Sequence, residues 1–252
     1  MGRGPLPWRT GSVVEIRRES AGVATIALDV PGWPGHLAGQ HVDLRLTSED
    51  GYQAQRSYSI ASPSGTETLD LTVEYVQGGE VSPFLLGDLV VGDTLEVKGP
   101  IGGHFTWRPG DGRPLLLVAG GSGIVPLMAM LRERARASDS TPARLIYSAR
   151  TLGSLIYHEE LNLLAAHGSA FSVTYTLTRE QAGRWTGHRR RVDRAMLEAS
   201  GFSADMKPLA FVCGPTPLVE QVATDLLGLG YQEDFIKTER FGPTGEFEIQ
   251  AR

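Results

Sequence analysis

From residue 114 onward, short apolar runs alternate with helical segments, and this alternation limits the possible folds more than any other feature. Runs at 115–119, 143–148, 170–178 and 209–213 read as strands. Segments 124–137, 154–166, 192–200 and 215–228 read as helices, and a last strand is expected near 234–238. The runs at 115–119 and 209–213 are wholly apolar and have no polar face. They must be covered on both sides, as in a parallel sheet with crossover helices. Ligands of such sheets sit beyond the carboxyl ends of the strands. The run 115–131 has no charged residue and approaches bilayer-spanning length. Gly120, Gly121, Gly123 and Pro126 break it, so it reads as a strand, a turn and a helix start instead.

The first half follows another pattern. Residues 11–30 read as two strands around a turn at Ser20-Ala21-Gly22, and further strands are expected near 40–47, 54–61, 68–76 and 93–99. Short strands with Pro- and Gly-rich spacers predict an antiparallel barrel or sandwich. The polar, turn-rich stretch 108–113 marks a boundary, giving a β-barrel domain over 1–110 and an α/β domain over 111–252.

Charge and cysteine content narrow the chemistry. A formal net charge of -5 opposes broad phosphate-backbone binding, so no nucleic-acid partner is expected. The basic run Arg189-Arg190-Arg191 reads as a solvated loop or helix start. Cys213 is the sole cysteine, which excludes an internal disulfide and a thiolate-held iron–sulfur cluster. His36 and His41 read as surface loop residues, not metal ligands. The N-terminus lacks the apolar core of a signal peptide, and no membrane association is expected, so the expected location is cytoplasmic.

Several short stretches carry candidate binding chemistry. Arg56-Ser57-Tyr58-Ser59 combines a cation, a flat phenol and two small hydroxyls on one strand running into a turn. That set suits a flavin nucleotide: bidentate pairing to a pyrophosphate, ring coverage, and a hydroxyl near a ring nitrogen. It is also compatible with an ordinary half-exposed strand. Gly78-Gly79-Glu80-Val81-Ser82-Pro83 reads as a glycine turn into a short helix with Ser82 as its N-cap. Such a turn is either an anion site or a plain capped helix. Gly120-Gly121-Ser122-Gly123 feeds a helix and suits a pyrophosphate, although it is not the spaced fingerprint of the dinucleotide fold. Cys213-Gly214-Pro215 lies where a strand runs into a helix, and Arg150, Thr178 and Arg179 follow two other strands. The arginines suit a ribose phosphate, or are solvent-exposed loop residues.

Taken together and in this order, these stretches resemble the ferredoxin–NADP reductase family over nearly the whole chain. The resemblance implies a flavin-binding antiparallel barrel followed by a nucleotide-binding α/β domain. It implies FAD held by Arg56, Ser57, Tyr58, Ser59, Glu74, Val76, Gly79, Val81 and Ser82. The nicotinamide nucleotide would lie near Gly120, Gly121, Ser122, Arg150, Cys213, Gly214 and Pro215. Thr178-Arg179-Glu180-Gln181 is similar to the family stretch that holds the ribose phosphate, favouring NADP(H), with NADH possible. Glu239-Arg240-Phe241 resembles a segment returning to the flavin, where Phe241 either shields the ring or is a core aromatic. Ser59, Cys213 and Glu239 are the implied catalytic residues.

The implied activity is hydride transfer from nicotinamide to flavin, then single-electron delivery to a separate carrier, expected to be ferredoxin or another small redox protein. Alternatives are a reductase for an oxygenase, free flavin or ferric chelates, and a non-catalytic flavin-binding subunit. The oligomeric state is left open.

Overall fold

A computed structural model describes residues 6–167, 170–180 and 185–241. The first half forms an antiparallel sheet of β1 (Trp8–Ser20), β2 (Val23–Asp29), β3 (His41–Thr47), β4 (Gln53–Ser59), β5 (Leu69–Glu74) and β6 (Thr94–Ile101). Their order in space is β4-β3-β6-β1-β2-β5. The two edge strands do not pair along their lengths. Just past β4 the chain reaches β5 through an Ile60–Leu71 bridge, with the Ala61 amide donating to the Asp70 carbonyl (2.8 Å) and the Asp70 amide donating to Ser62 Oγ (3.1 Å). The sheet is therefore the expected antiparallel barrel in outline, barrel-like but not fully closed. Its open seam between β4 and β5 matters for the site.

Short helix α1 (Val81–Gly87) plugs one end of this curl, burying Val81 and Leu85 with Ile26, Leu28, Leu44, Ile60 and Leu71. The expected cap is corrected. Glu80, not Ser82, occupies the N-cap and makes no side-chain cap bond. Ser82 instead uses its Oγ to accept the Val76 amide (3.0 Å), closing the turn that carries Gly78 and Gly79.

The second sheet is parallel, in the order β11-β10-β7-β8-β9. Its strands are β7 (Leu115–Gly120), β8 (Ala143–Ala149), β9 (Phe171–Leu177), β10 (Leu209–Pro215) and β11 (Ile236–Phe241). Every residue of β7 is buried, as its unbroken apolar run requires of a central strand covered on both faces. The covering helices are α2 (Ile124–Arg136), α3 (His158–His167), α4 (Arg194–Ser200) and α5 (Thr216–Gly228). The uncharged run at 115–131 becomes β7, a 3₁₀ turn and the first part of α2. Among the described residues no helix is long and apolar enough to cross a membrane.

Two elements differ from expectation in ways that shape the site. Helix α3 begins at His158, because Leu152–Ser154 is a 3₁₀ turn capped by Thr151 and Tyr157 takes a left-handed φ of 59°. The last strand runs to Phe241, so Glu239 and Phe241 sit in the sheet beside Cys213 and Pro215.

The halves share one core. Ala38, Ala61, Phe105 and Trp107 from the first half pack in the same cluster as Leu127, Met128, Met130 and Phe211 from the second.

Candidate active site

In the parallel sheet, β8 and β9 lie to one side of β7, while β10 and β11 lie to the other. The order reverses between β7 and β10, and such a switch point is where a doubly wound sheet binds ligands, beyond its carboxyl ends. The seam of the first sheet faces the same place. Together they enclose a cleft of about 1010 Å³.

One wall comes from β4, β5 and the turn before α1. The Arg56 guanidinium is 57% exposed. It donates to the Gln55 carbonyl (2.7 Å) and lies 3.8 Å from Glu80, whose two carboxylate oxygens accept from Tyr52 Oη at 3.1 and 3.2 Å. An exposed pair of this kind is worth little, so the cation is available to a stronger anion. Tyr58 packs against the barrel core and also lines the cleft. Burial pushes its phenol up to about 12, with Arg56 opposing, so it presents a flat neutral ring. Ser57 lines the cleft too, but its hydroxyl donates to Asp43 (2.7 Å), which also pairs with Lys98 (2.9 Å). Thr72, Glu74 and Val76 line the seam side. Gly79 joins the lining with Gly78, whose φ is +74° and where a Cβ would meet nothing within 4 Å. Val81 has its side chain in the core.

The other wall comes from the switch point. Ser122, Arg150, Cys213, Glu239, Arg240 and Phe241 line it. Phe241 is 36% exposed, so it is a cleft residue, not a core aromatic. Gly120 and Gly214 do not line the cleft. They pack closely against each other, since a Cβ on Gly214 would lie 3.2 Å from the Gly120 backbone. Gly123 is tighter still: its Cβ would stand 2.2 Å from the Cys213 carbonyl oxygen. Gly121, with φ +56°, and Pro215 also stay outside the lining. Thr178 and Arg179 stand next to it, because their amides bond to the carbonyls of Ala149 (3.0 Å) and Arg150 (2.8 Å). Glu180 accepts the Leu152 amide (2.7 Å), and Gln181 lies outside the described residues.

At the floor the two sheets meet. Ser59 pairs in register with His41, and Cys213 with Glu239. His41 Nδ1 is 3.9 Å from Glu239 Oε1, while Glu239 Oε2 is buried without a hydrogen-bond partner among the described residues. Desolvation lifts the Glu239 carboxyl to about 7, lowers His41 below its ordinary value, and holds the Cys213 thiol well above its own, with Glu239 adding to the last. Burial thus favours the neutral thiol of Cys213 over the thiolate. The floor offers a neutral imidazole, a neutral thiol, a hydroxyl and one carboxyl titrating near neutrality.

The sequence reading placed His36 and His41 on surface loops, and both placements are corrected. His41 is in β3 and lines the cleft. His36 is buried, bonded to Trp33 Nε1 (3.2 Å) and the Ser62 carbonyl (3.0 Å). Thr72, Gln77, Glu80 and Arg240 were also missed as cleft residues. The alternation of strands β3 and β4 was the available signal for His41, since it allows a register that sets His41 beside Ser59.

A pH prediction follows for Glu239. Its folded pKa lies above its ordinary 4.5, so its contribution to stability is complete below about pH 4.5 and is lost as pH rises through about 7. The loss is on the order of 3 kcal/mol. Thermal melts of flavin-free protein at pH 5 and pH 8 should differ more for the native chain than for Glu239→Gln. Equal pH dependence in both would contradict the placement.

The cleft suits a flavin. It has the volume of a sizeable ligand site, an under-used guanidinium at one end, a flat neutral ring, and an unpartnered buried carboxyl oxygen at its floor.

Comparison with known proteins agrees. Residues 11–107 match the family described as Oxidoreductase FAD-binding domain, and residues 117–224 match Oxidoreductase NAD-binding domain. The chain is 36% identical to the glycine betaine monooxygenase reductase subunit of Pseudomonas aeruginosa (strain UCBPP-PA14), over 82% of this chain and 56% of that protein. It therefore spans little more than half of that relative. It is 37% identical to ferredoxin–NADP reductase B of Sorangium cellulosum (strain So ce56), over 81% of this chain and 84% of the relative. Among solved structures, it resembles the cytochrome b5 reductase domain of Ulva prolifera nitrate reductase with a TM-score of 0.80 and 26% identity, covering 95% of this chain and 100% of that one. With an FAD-binding half, an NAD-binding half and a relative of this identity matched along most of both lengths, the chain belongs to the ferredoxin reductase-like family of flavin- and nicotinamide-dependent oxidoreductases.

Proposed function

We propose that the chain is an NADPH-dependent flavoprotein reductase that passes electrons singly to a separate carrier protein. The observation that supports this reading is that one cleft has the Arg56–Ser59 edge on one wall and Cys213, Glu239 and Phe241 on the other. When bound, FAD supplies the redox chemistry by accepting hydride from nicotinamide and releasing electrons one at a time.

The side chains hold, orient and desolvate. Arg56 binds pyrophosphate through charge-assisted hydrogen bonds. The Gly78-Gly79 turn gives close backbone access, and Tyr58 covers the ring. Ser59 offers a hydroxyl to the reactive edge of the flavin. Cys213 and Ser122 border the nicotinamide position. Glu239 holds or releases a proton at Oε2 close to neutral pH, and Phe241 covers the open face. The division between the two functional halves falls near residue 110. A cytoplasmic location belongs to the same reading.

Arg150 and Arg179 set the coenzyme preference by binding the ribose phosphate. Arg179→Ala should weaken NADPH by roughly 10-fold or more, from a charge-assisted bond of about 1.5–3 kcal/mol, and leave NADH nearly unchanged. Coenzyme titrations check this, and equal losses for both coenzymes would contradict it.

The favoured electron acceptor is ferredoxin. An oxygenase component is the second reading, supported by the likeness to an oxygenase reductase subunit. Steady-state rates with NADPH should rise when a ferredoxin is added beyond those with free flavin or ferric chelate alone. No rise with ferredoxin, but a rise with an oxygenase component, would favour the second reading.

A further inference from the structure

A buried polar chain ties the two cleft walls together at a point that no proposed binding role uses. Thr25 Oγ1 lies 2.7 Å from Thr72 Oγ1 and donates to Glu19 (2.5 Å). Thr72 in turn shares a hydrogen bond with the Tyr157 hydroxyl. Tyr157 is 4% exposed and Thr25 is fully buried. Above the Tyr157 ring, at 4.7 Å, lies the Arg132 guanidinium. Arg132 grips Glu160 with two bonds of 2.9 and 2.6 Å and donates to the Ala61 carbonyl (2.9 Å). Burial and Arg132 act in opposite directions on the Tyr157 phenol, and burial wins, holding it at about 12. The hydroxyl therefore keeps its proton across the working pH range.

The location gives this chain a purpose. Thr72 and Glu74 are two apart on β5, so their side chains share one face, and both line the flavin wall. Tyr157 ends the segment that starts at Arg150 on the nucleotide wall. That segment is braced from below, since the Ile156 amide donates to the buried Tyr147 hydroxyl (3.1 Å). Tyr157 holds a left-handed backbone in which a bulky residue is strained. The surroundings over-determine this conformation and aim the phenol into the first sheet. The hydrogen bond is buried and networked, where such bonds have most effect.

We propose that Tyr157 is a positioning residue that, through Thr72, sets the flavin wall against the nucleotide wall. This rests on the reading of the cleft as the meeting place of flavin and nicotinamide. Ring-to-ring transfer is steep in distance, and a misplacement of about 1 Å costs about 10²-fold. A purely structural role would lower stability without separating rate from binding.

The test uses Tyr157→Phe in the full chain, which keeps the ring and removes the hydroxyl, with Thr72→Val as a second way to delete the same bond. Titrations of FAD and of NADP⁺ should give dissociation constants within about twofold of native for Tyr157→Phe. Rapid mixing with NADPH should show the limiting rate of flavin bleaching falling about tenfold or more, with an unchanged half-saturating concentration. Thr72→Val should slow bleaching similarly, and the double variant should be no slower than the slower single. Backbone amide exchange should quicken at β5 and at 152–157 together in either variant. A native limiting rate in Tyr157→Phe would overturn the proposal, as would weakened FAD binding or additive losses in the double variant. If the native chain itself fails to bleach, the functional reading falls and this inference with it. That outcome is distinct from a native chain that bleaches and a variant that matches it.

Discussion

Arg56→Ala protein is expected to emerge from purification largely stripped of flavin, yet folded. The bond at stake is charge-assisted and contributes about 1.5–3 kcal/mol, which corresponds to a roughly 10- to 150-fold weaker dissociation constant. Among the described residues, Arg56 makes a bond to its neighbour's carbonyl and a 3.8 Å approach to Glu80, both at the surface. Removing it should therefore leave the melting temperature of the flavin-free chain nearly unchanged, because exposed pairs contribute about 1 kcal/mol at most. The separation of the two readouts is the point: affinity falls and stability does not. Flavin titration followed by fluorescence, beside a thermal melt, measures both. Full flavin occupancy in the variant would remove Arg56 from the proposed pyrophosphate contact.

Gly123→Ala is expected to cause the largest loss of stability from a single methyl group at the site. The added Cβ would stand 2.2 Å from the Cys213 carbonyl oxygen, 2.5 Å from its carbon and 2.9 Å from the Gly214 nitrogen. All are backbone atoms of a central strand, so no rotamer change relieves the clash. Overpacking of this kind typically costs about 1–3 kcal/mol and sometimes more. The upper end applies here, against a total stability of about 5–15 kcal/mol. Gly120→Ala is the control. Its nearest neighbours are side-chain atoms of Leu218 and Pro215, each at 3.0 Å, and Leu218 can shift. Denaturant unfolding should rank Gly123→Ala well below Gly120→Ala. The reverse order would show that the 3₁₀ turn after β7 does not approach β10 as closely as described.

The second half was legible because covering a strand on both faces leaves a continuous apolar run, and β7 carries one. The glycine turns were legible as turns, but the close packing behind them was not. Gly120, Gly123 and Gly214 are small where the end of β7 and the turn after it touch the end of β10, a contact between positions some ninety residues apart that no local pattern encodes. His41 was misread for a similar reason. Its side chain is in the cleft because β3 pairs with β4 in one register, and the partner across the floor is on the last strand. The Ser82 cap failed because the hydroxyl found a better use on the Val76 amide. Tyr157 carried no signal at all. A left-handed aromatic is disfavoured locally, and only tertiary contacts explain it.

The central claim is that one cleft brings flavin and nicotinamide face to face. Anaerobic rapid mixing tests it most directly: the polypeptide is loaded with FAD, and the flavin band near its visible maximum is followed after addition of NADPH. The yellow protein should bleach in a single saturable phase. A chain that refuses FAD, or that stays yellow with both NADPH and NADH, would contradict it.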